Sequence, residues 1–132
     1  MMLLAFLLTA LTHSALIRAS SPGNCFPRGF EPGTGMGDPV ASVDDCRQVI
    51  DEIRRKPDKG ITLTALDATS IYKGTCGATI ANWRKAENRI DEVTLARQMT
   101  ANILNPCIAT RGLYGQWWSD EMQLVVWMFR VQ

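Results

Sequence analysis

Four adjacent pairs of acids, Asp44 with Asp45, Asp51 with Glu52, Asp91 with Glu92 and Asp120 with Glu121, are the residues of this 132-residue chain whose type and spacing could do chemistry. Two carboxylates flanking one bond, with aromatic platforms such as Trp117 and Trp118 nearby, are the equipment of a glycosidase. The spacing argues against that use. Neighbours on a strand point to opposite faces and cannot flank one bond, while acids at a helix start complement its dipole. The only histidine, His13, lies in the apolar N-terminal stretch. Once that stretch is removed, Ser-His-Asp and Cys-His catalysis, imidazole metal sites and histidine pH switching are all excluded. The expectation is a protein with no catalytic, cofactor-binding or metal-ligating residues and no cofactor, one that binds rather than transforms.

Cys25, Cys46, Cys76 and Cys107 complete the reactive side chains. None forms a CxxC pair, which disfavours zinc or redox chemistry, and an even number at wide spacing reads as two disulfides in an oxidising secretory pathway. Sequence leaves all three connectivities open.

The compartment follows from residues 1–19, whose opening MMLLAFLL is uninterrupted apolar sequence and far shorter than the roughly 20 residues of a spanning helix. It reads as a secretory signal peptide cut within residues 15–20, so the protein is expected to be secreted and extracellular. Its removal takes away Arg18 and leaves basic and acidic residues equal in number. A neutral chain disfavours nucleic acid and anionic lipid as partners. Residues 20–41 form a Pro/Gly-rich arm, PGNCFPRGFEPGTGMGDP at its centre, which opposes both helix and ladder pairing and which Cys25 staples to the domain. Residues 42–132 form one domain.

Within the domain, Ser42 and Asp45 make a capping box, and Val43, Cys46, Val49, Ile50 and Ile53 recur on one face of a helix that ends at PDKG. Ile61 to Leu66 alternates as a strand, Ile71 and Lys73 lie in a loop, and Gly74 to Trp83 reads as a second strand with Cys76, Ala78 and Ile80 on one face. Arg84 to Arg89 turn the chain into a second helix that Asp91 opens and Pro106 ends near Leu104.

The closing stretch, YGQWWSDEMQLVVWMF, is a strand or a hairpin turning near Ser119 and Asp120, with Leu124, Val126 and Met128 opposite Val125, Trp127 and Phe129. Both faces are apolar. Either the arm folds over one of them or Trp127 and its neighbours are exposed to a partner. The element order gives an α+β fold: a small antiparallel sheet with two helices on one face, a ferredoxin-like or killer-toxin-like sandwich stapled by two disulfides. In the ferredoxin-like arrangement the start of the first helix lies near the end of the second, which pairs Cys46 with Cys107 and leaves Cys25 for Cys76.

SVDDCRQVIDEI, YKGTCGATIA, a helix closing on NPCIAT and a glycine-aromatic segment before LVVWM make up a plan. It resembles the small secreted fungal proteins related to the extracellular necrosis-inducing-factor effectors. Asp45 with Cys46 and Gly74 with Cys76 carry most of the likeness. The resemblance implies a filamentous-fungal secreted protein that acts as a virulence effector on a host plant, outside its cells or after entering them. It carries over no catalytic residue.

The function expected is non-enzymatic binding of a host or microbial protein or a cell-wall component. Tyr114, Trp117, Trp118 and Trp127 are the candidate partner surface, since aromatic clusters bury large area at low entropic cost. The alternatives are a membrane-active, killer-toxin-like protein, which neutral charge and short apolar runs disfavour, and a carbohydrate-active enzyme.

Overall fold

The computed structural model describes residues 23–26, 40–55 and 60–131. The leader and its cleavage site, Phe30 and most of the arm, and the first three residues of the PDKG stop lie outside them. The elements are β1 (Asn24–Phe26), α1 (Val43–Arg54), β2 (Ile61–Leu63), β3 (Ala68–Lys73), β4 (Cys76–Asn82), β5 (Asn88–Ile90) and α2 (Glu92–Met99). A π-helical segment, Thr100–Ala109, continues α2 and leads into β6 (Tyr114–Ser119) and β7 (Leu124–Arg130).

Among the described residues, five strands form one antiparallel sheet in the order β1-β6-β7-β4-β3, and β2 pairs with β5 in a separate two-stranded ribbon. The class is α+β, with the helices on one face. A βαββαβ layout has one strand fewer. Here the last strand, β7, enters the middle of the sheet between β6 and β4, and β1 lies at the edge.

α1 forms where the pattern places it, and Ser42 caps it by accepting a hydrogen bond from the Asp45 amide at 3.3 Å. Asp45 does not return the bond as a capping box would. Its carboxylate accepts from the Thr75 amide and hydroxyl, both at 2.7 Å, while the Thr75 hydroxyl accepts from the Ser42 amide at 2.8 Å. Asp91 caps α2, accepting from the Thr94 amide at 2.8 Å.

Pro106 does not stop the second helix. The helix widens to π geometry and runs through Pro106 to Ala109. Hydrogen bonding to the fifth residue back loosens the turn around the ring that would otherwise strike the preceding carbonyl. The Thr110 amide and hydroxyl both donate to the Asn105 carbonyl at its end.

Alternation along the strands separates an inner from an outer face. Ala78, Ile80, Trp117, Leu124, Val126 and Met128 point inward beneath Val49, Ile53, Leu95, Met99 and Ile103 of the helical layer, all buried. The stretch expected as a loop through Ile71 and Lys73 is strand β3, because all six of its residues find antiparallel partners on β4, from Ala68 opposite Ala81 to Lys73 opposite Cys76. The strand expected over Ile61 to Leu66 is shorter, and it pairs with β5, formed at the end of the expected turn.

The disulfides are Cys25–Cys107 and Cys46–Cys76, not the pairs of the ferredoxin-like arrangement. β1 joins the sheet beside β6, under the π-helical segment, and Cys25 stands opposite Gly115. A Cβ on Gly115 would lie 3.2 Å from the Cys107 sulfur and collide with Ile103, so the bare backbone admits this approach. Cys46, in the first turn of α1, meets Cys76 at the start of β4, beside the bond from Asp45 to Thr75.

Candidate functional site

Register places the candidate aromatic residues in two environments. Trp117 pairs with Val126 on the inner face and is 3 % exposed. Trp118 and Trp127 point outward, 50 % and 37 % exposed. Tyr114 shares the outer parity but is buried. Of the four residues expected to form a partner surface, Tyr114 and Trp117 are therefore core. The hairpin alternates strictly, so two consecutive tryptophans cannot share a face.

The outer face adds aromatic side chains that the hairpin alone does not reveal. The Trp83 ring lies 5.0 Å from that of Trp118 at a 30° tilt, bridging across β7 at one end of the sheet. Trp118 is held by its indole N–H, which donates to Asp120 at 2.7 Å. Trp127 stands one step diagonally from Trp118, with Gln116 opposite it on β6 and Thr79 opposite it on β4. The Thr79 hydroxyl is hydrogen bonded to that of Ser70 at 2.8 Å.

Beyond Trp127, Phe129 stands opposite Gly77, and Tyr72 stands opposite the same glycine from the other side. A Cβ on Gly77 would lie 2.9 Å from Phe129 and 3.0 Å from Tyr72, so both rings lie low over the strand. Their centroids are 6.4 Å apart in an edge-on contact, and Tyr72 is 56 % exposed. Phe129 could be assigned this face from alternation. Tyr72 is hidden by reading β3 as a loop; Trp83 closes the strand expected over Gly74 to Trp83, and what the sequence lacks is its contact with Trp118 across β7.

In each of the four acidic pairs at least one carboxylate has a structural partner of its own. Asp44 pairs with Arg47, Asp51 with Arg54 and Glu52 with Lys73, and Asp91 caps α2. The Thr75 amide and then its hydroxyl hold the Asp45 carboxyl below the usual range. The Thr94 side chain and amide do the same for Asp91, against a small opposing effect of burial. Such shifts follow from hydrogen bonds to the charged form. Asp45 and Cys46 stand against Thr75 and Cys76 as one staple, with Gly74 at φ 52° in the turn. This staple has a structural role.

Grooves of about 330 Å³ between β2 and β3 and about 210 Å³ between α1 and the π-helical segment are shallow and open. The first has Asp67 as its ionisable side chain, and the second has Arg47 and Arg54 already paired with acids. Among the described residues, no cluster of three His, Cys, Asp or Glu side chains could hold a metal ion, and no helix is long and apolar enough to cross a membrane. Two disulfides suit a chain folded in an oxidising compartment. No family model, curated protein or solved structure matches the chain.

Proposed function

We propose that this protein is a secreted, non-enzymatic binding module that engages a host or competitor component through the outer face of its five-stranded sheet. The observation that carries the reading is the exposure of Trp118 and Trp127 on the face opposite the helical layer. Large rings left in water at the centre of a sheet bring substantial area to an interface at little entropic cost. The sheet beneath them is held by backbone ladders on both sides of β7 and by two disulfides, so the rings are presented on a rigid support. The apolar leader and the likeness to fungal effectors support secretion and a role at the surface of another organism. The structural engagement of the acidic pairs supports binding over catalysis.

The test is retention of the fluorescently labelled, oxidised protein on plant and microbial cells, compared with a folded Trp118→Ala/Trp127→Ala variant. Loss of retention in the variant is expected. Equal retention of both proteins would remove the outer face from the function.

A further inference from the structure

We infer that the occupant of the outer face is a neutral polysaccharide chain, lying across the sheet with its sugar rings on Trp118, Trp127 and Tyr72. The inference rests on the reading of that face as the working surface and adds the chemistry of what it binds. Three observations carry it.

The first is charge. Every outward position of β3, β4, β6 and β7 is apolar, aromatic or uncharged polar, although a fifth of the whole chain is Asp, Glu, Lys or Arg. Asp120 stands at the rim, where it already accepts the Trp118 indole N–H. Single-stranded nucleic acid also stacks on exposed aromatic rings, but it requires cations along the path of its phosphates. A protein partner is commonly anchored by Arg beside Tyr and Trp, with a polar and charged rim. An uncharged polymer fits a face from which charge is missing.

The second is the alternation of rings with hydrogen-bonding groups. Trp127 is flanked by the Gln116 amide on one side and the linked Thr79 and Ser70 hydroxyls on the other. A pyranose ring has the matching form, with C–H groups on its faces and hydroxyls around its edge. Apolar contact with a few placed polar groups is the general composition of a small-molecule subsite.

The third is shape. Phe129 and Tyr72 are laid low over Gly77, and the aromatic path continues obliquely through Trp127 to Trp118, with Trp83 stacked against it. Successive outward residues on a strand are about 7 Å apart, so the path spans several sugar rings. The face is open, which suits an extended chain better than a single sugar.

The experiment measures depletion of the oxidised protein from solution by microcrystalline cellulose, chitin and insoluble β-1,3-glucan, at low and high salt. At least one polymer is expected to bind it, with little salt dependence because no ion pair is involved. Trp127→Ala and Trp118→Ala should each weaken that binding about tenfold or more. Trp127→Phe should retain part of it. Val93→Ala, which removes a side chain of comparable exposure on α2, on the helical side of the sheet, should leave it unchanged. Thr79→Val keeps the shape, removes a hydroxyl and should weaken binding to sugar, whereas it would strengthen purely apolar docking. Each variant is first shown by circular dichroism and thermal melting to be folded at the assay temperature.

Binding to none of the polymers, or binding that Val93→Ala reduces as much as Trp127→Ala does, overturns the inference. Concentration-dependent self-association abolished by Trp127→Ala also overturns it, by making a second copy the occupant. If cell retention depends on Trp118 and Trp127 while all the polymers fail, the sugar is wrong and the binding face stands. If cell retention is indifferent to both residues, the face itself is wrong.

Discussion

Trp117 and Trp118 are adjacent on β6, and the first is 3 % exposed while the second is 50 % exposed. The same contrast runs through the sheet: Val126 and Met128 are buried under the helices, and Trp127 between them faces out. Composition does not separate the two faces, since both are rich in large apolar side chains. The helical layer separates them, because it covers one and leaves the other to packing among its own rings. Identical chemistry therefore contributes to stability on one side and is available for binding on the other.

The largest test of this comparison is Trp117→Ala. It should cost about 3–5 kcal/mol in denaturant unfolding, as deletion of a buried ring does. Trp118→Ala forfeits chiefly its stack on Trp83 and should cost about 0.5–1.5 kcal/mol. Equal losses would mean that the faces do not differ in the way their exposure indicates.

Both disulfides belong to the inner side. Opening Cys46–Cys76, with a sequence separation of 30, by a Cys46→Ser/Cys76→Ser change should cost about 3–4 kcal/mol on the chain-entropy model. In the range where the variant remains folded, cell retention should persist. Its disappearance there would show that the outer face depends on this staple.

Two glycines sharpen the contrast further. Gly115→Ala drives a methyl group into Ile103 and the Cys107 sulfur within the disulfide-bonded inner layer, and should cost about 1–3 kcal/mol as overpacking does. Gly77→Ala meets the far end of the Phe129 ring and the flank of the exposed Tyr72 ring, both of which can lift away, so it should cost less. It should also disturb the ring arrangement, seen as a change in the near-ultraviolet aromatic signal.

The smallest effect concerns Asp45, whose folded carboxyl titrates below its ordinary range because of Thr75. A depressed folded value means that the group contributes stability above its unfolded pKa and that this contribution is lost as pH falls through the folded one. Melting temperature should decline on acidification through and below the usual carboxylate range. Asp45→Asn should flatten that part of the curve, and an unchanged curve would show that Thr75 does not select the charged form.

Legibility in the sequence tracked how local each determinant is. α1 was readable over Val43–Arg54 because the Ser42 cap and the apolar spacing act within the helix itself, whereas the expected partner of Asp45 was not. The closing hairpin and its alternating faces were readable for the same reason. β3 was missed because ATSIYK carries a weak pattern, and the ladder of β4 gives it its conformation. The passage of the helix through Pro106 was missed because the wide π turn is sustained by packing over β6 and β1. Of the candidate surface, Trp118 and Trp127 are exposed, and the added rings of Tyr72 and Trp83 come from β3 and from the residue after β4.

By itself, the sequence determined two features of this protein: which side chains of β4 and of the closing hairpin share a face, and that four cysteines stand at wide spacings. Both are consequences of backbone periodicity and composition. Only the tertiary structure decided which face the helices cover, which cysteines meet, and that Asp45 binds Thr75 instead of closing its own cap. Those outcomes depend on contacts between segments far apart in the chain, where β1 arriving beside β6 in place of β4 changes every partner without altering a single local preference.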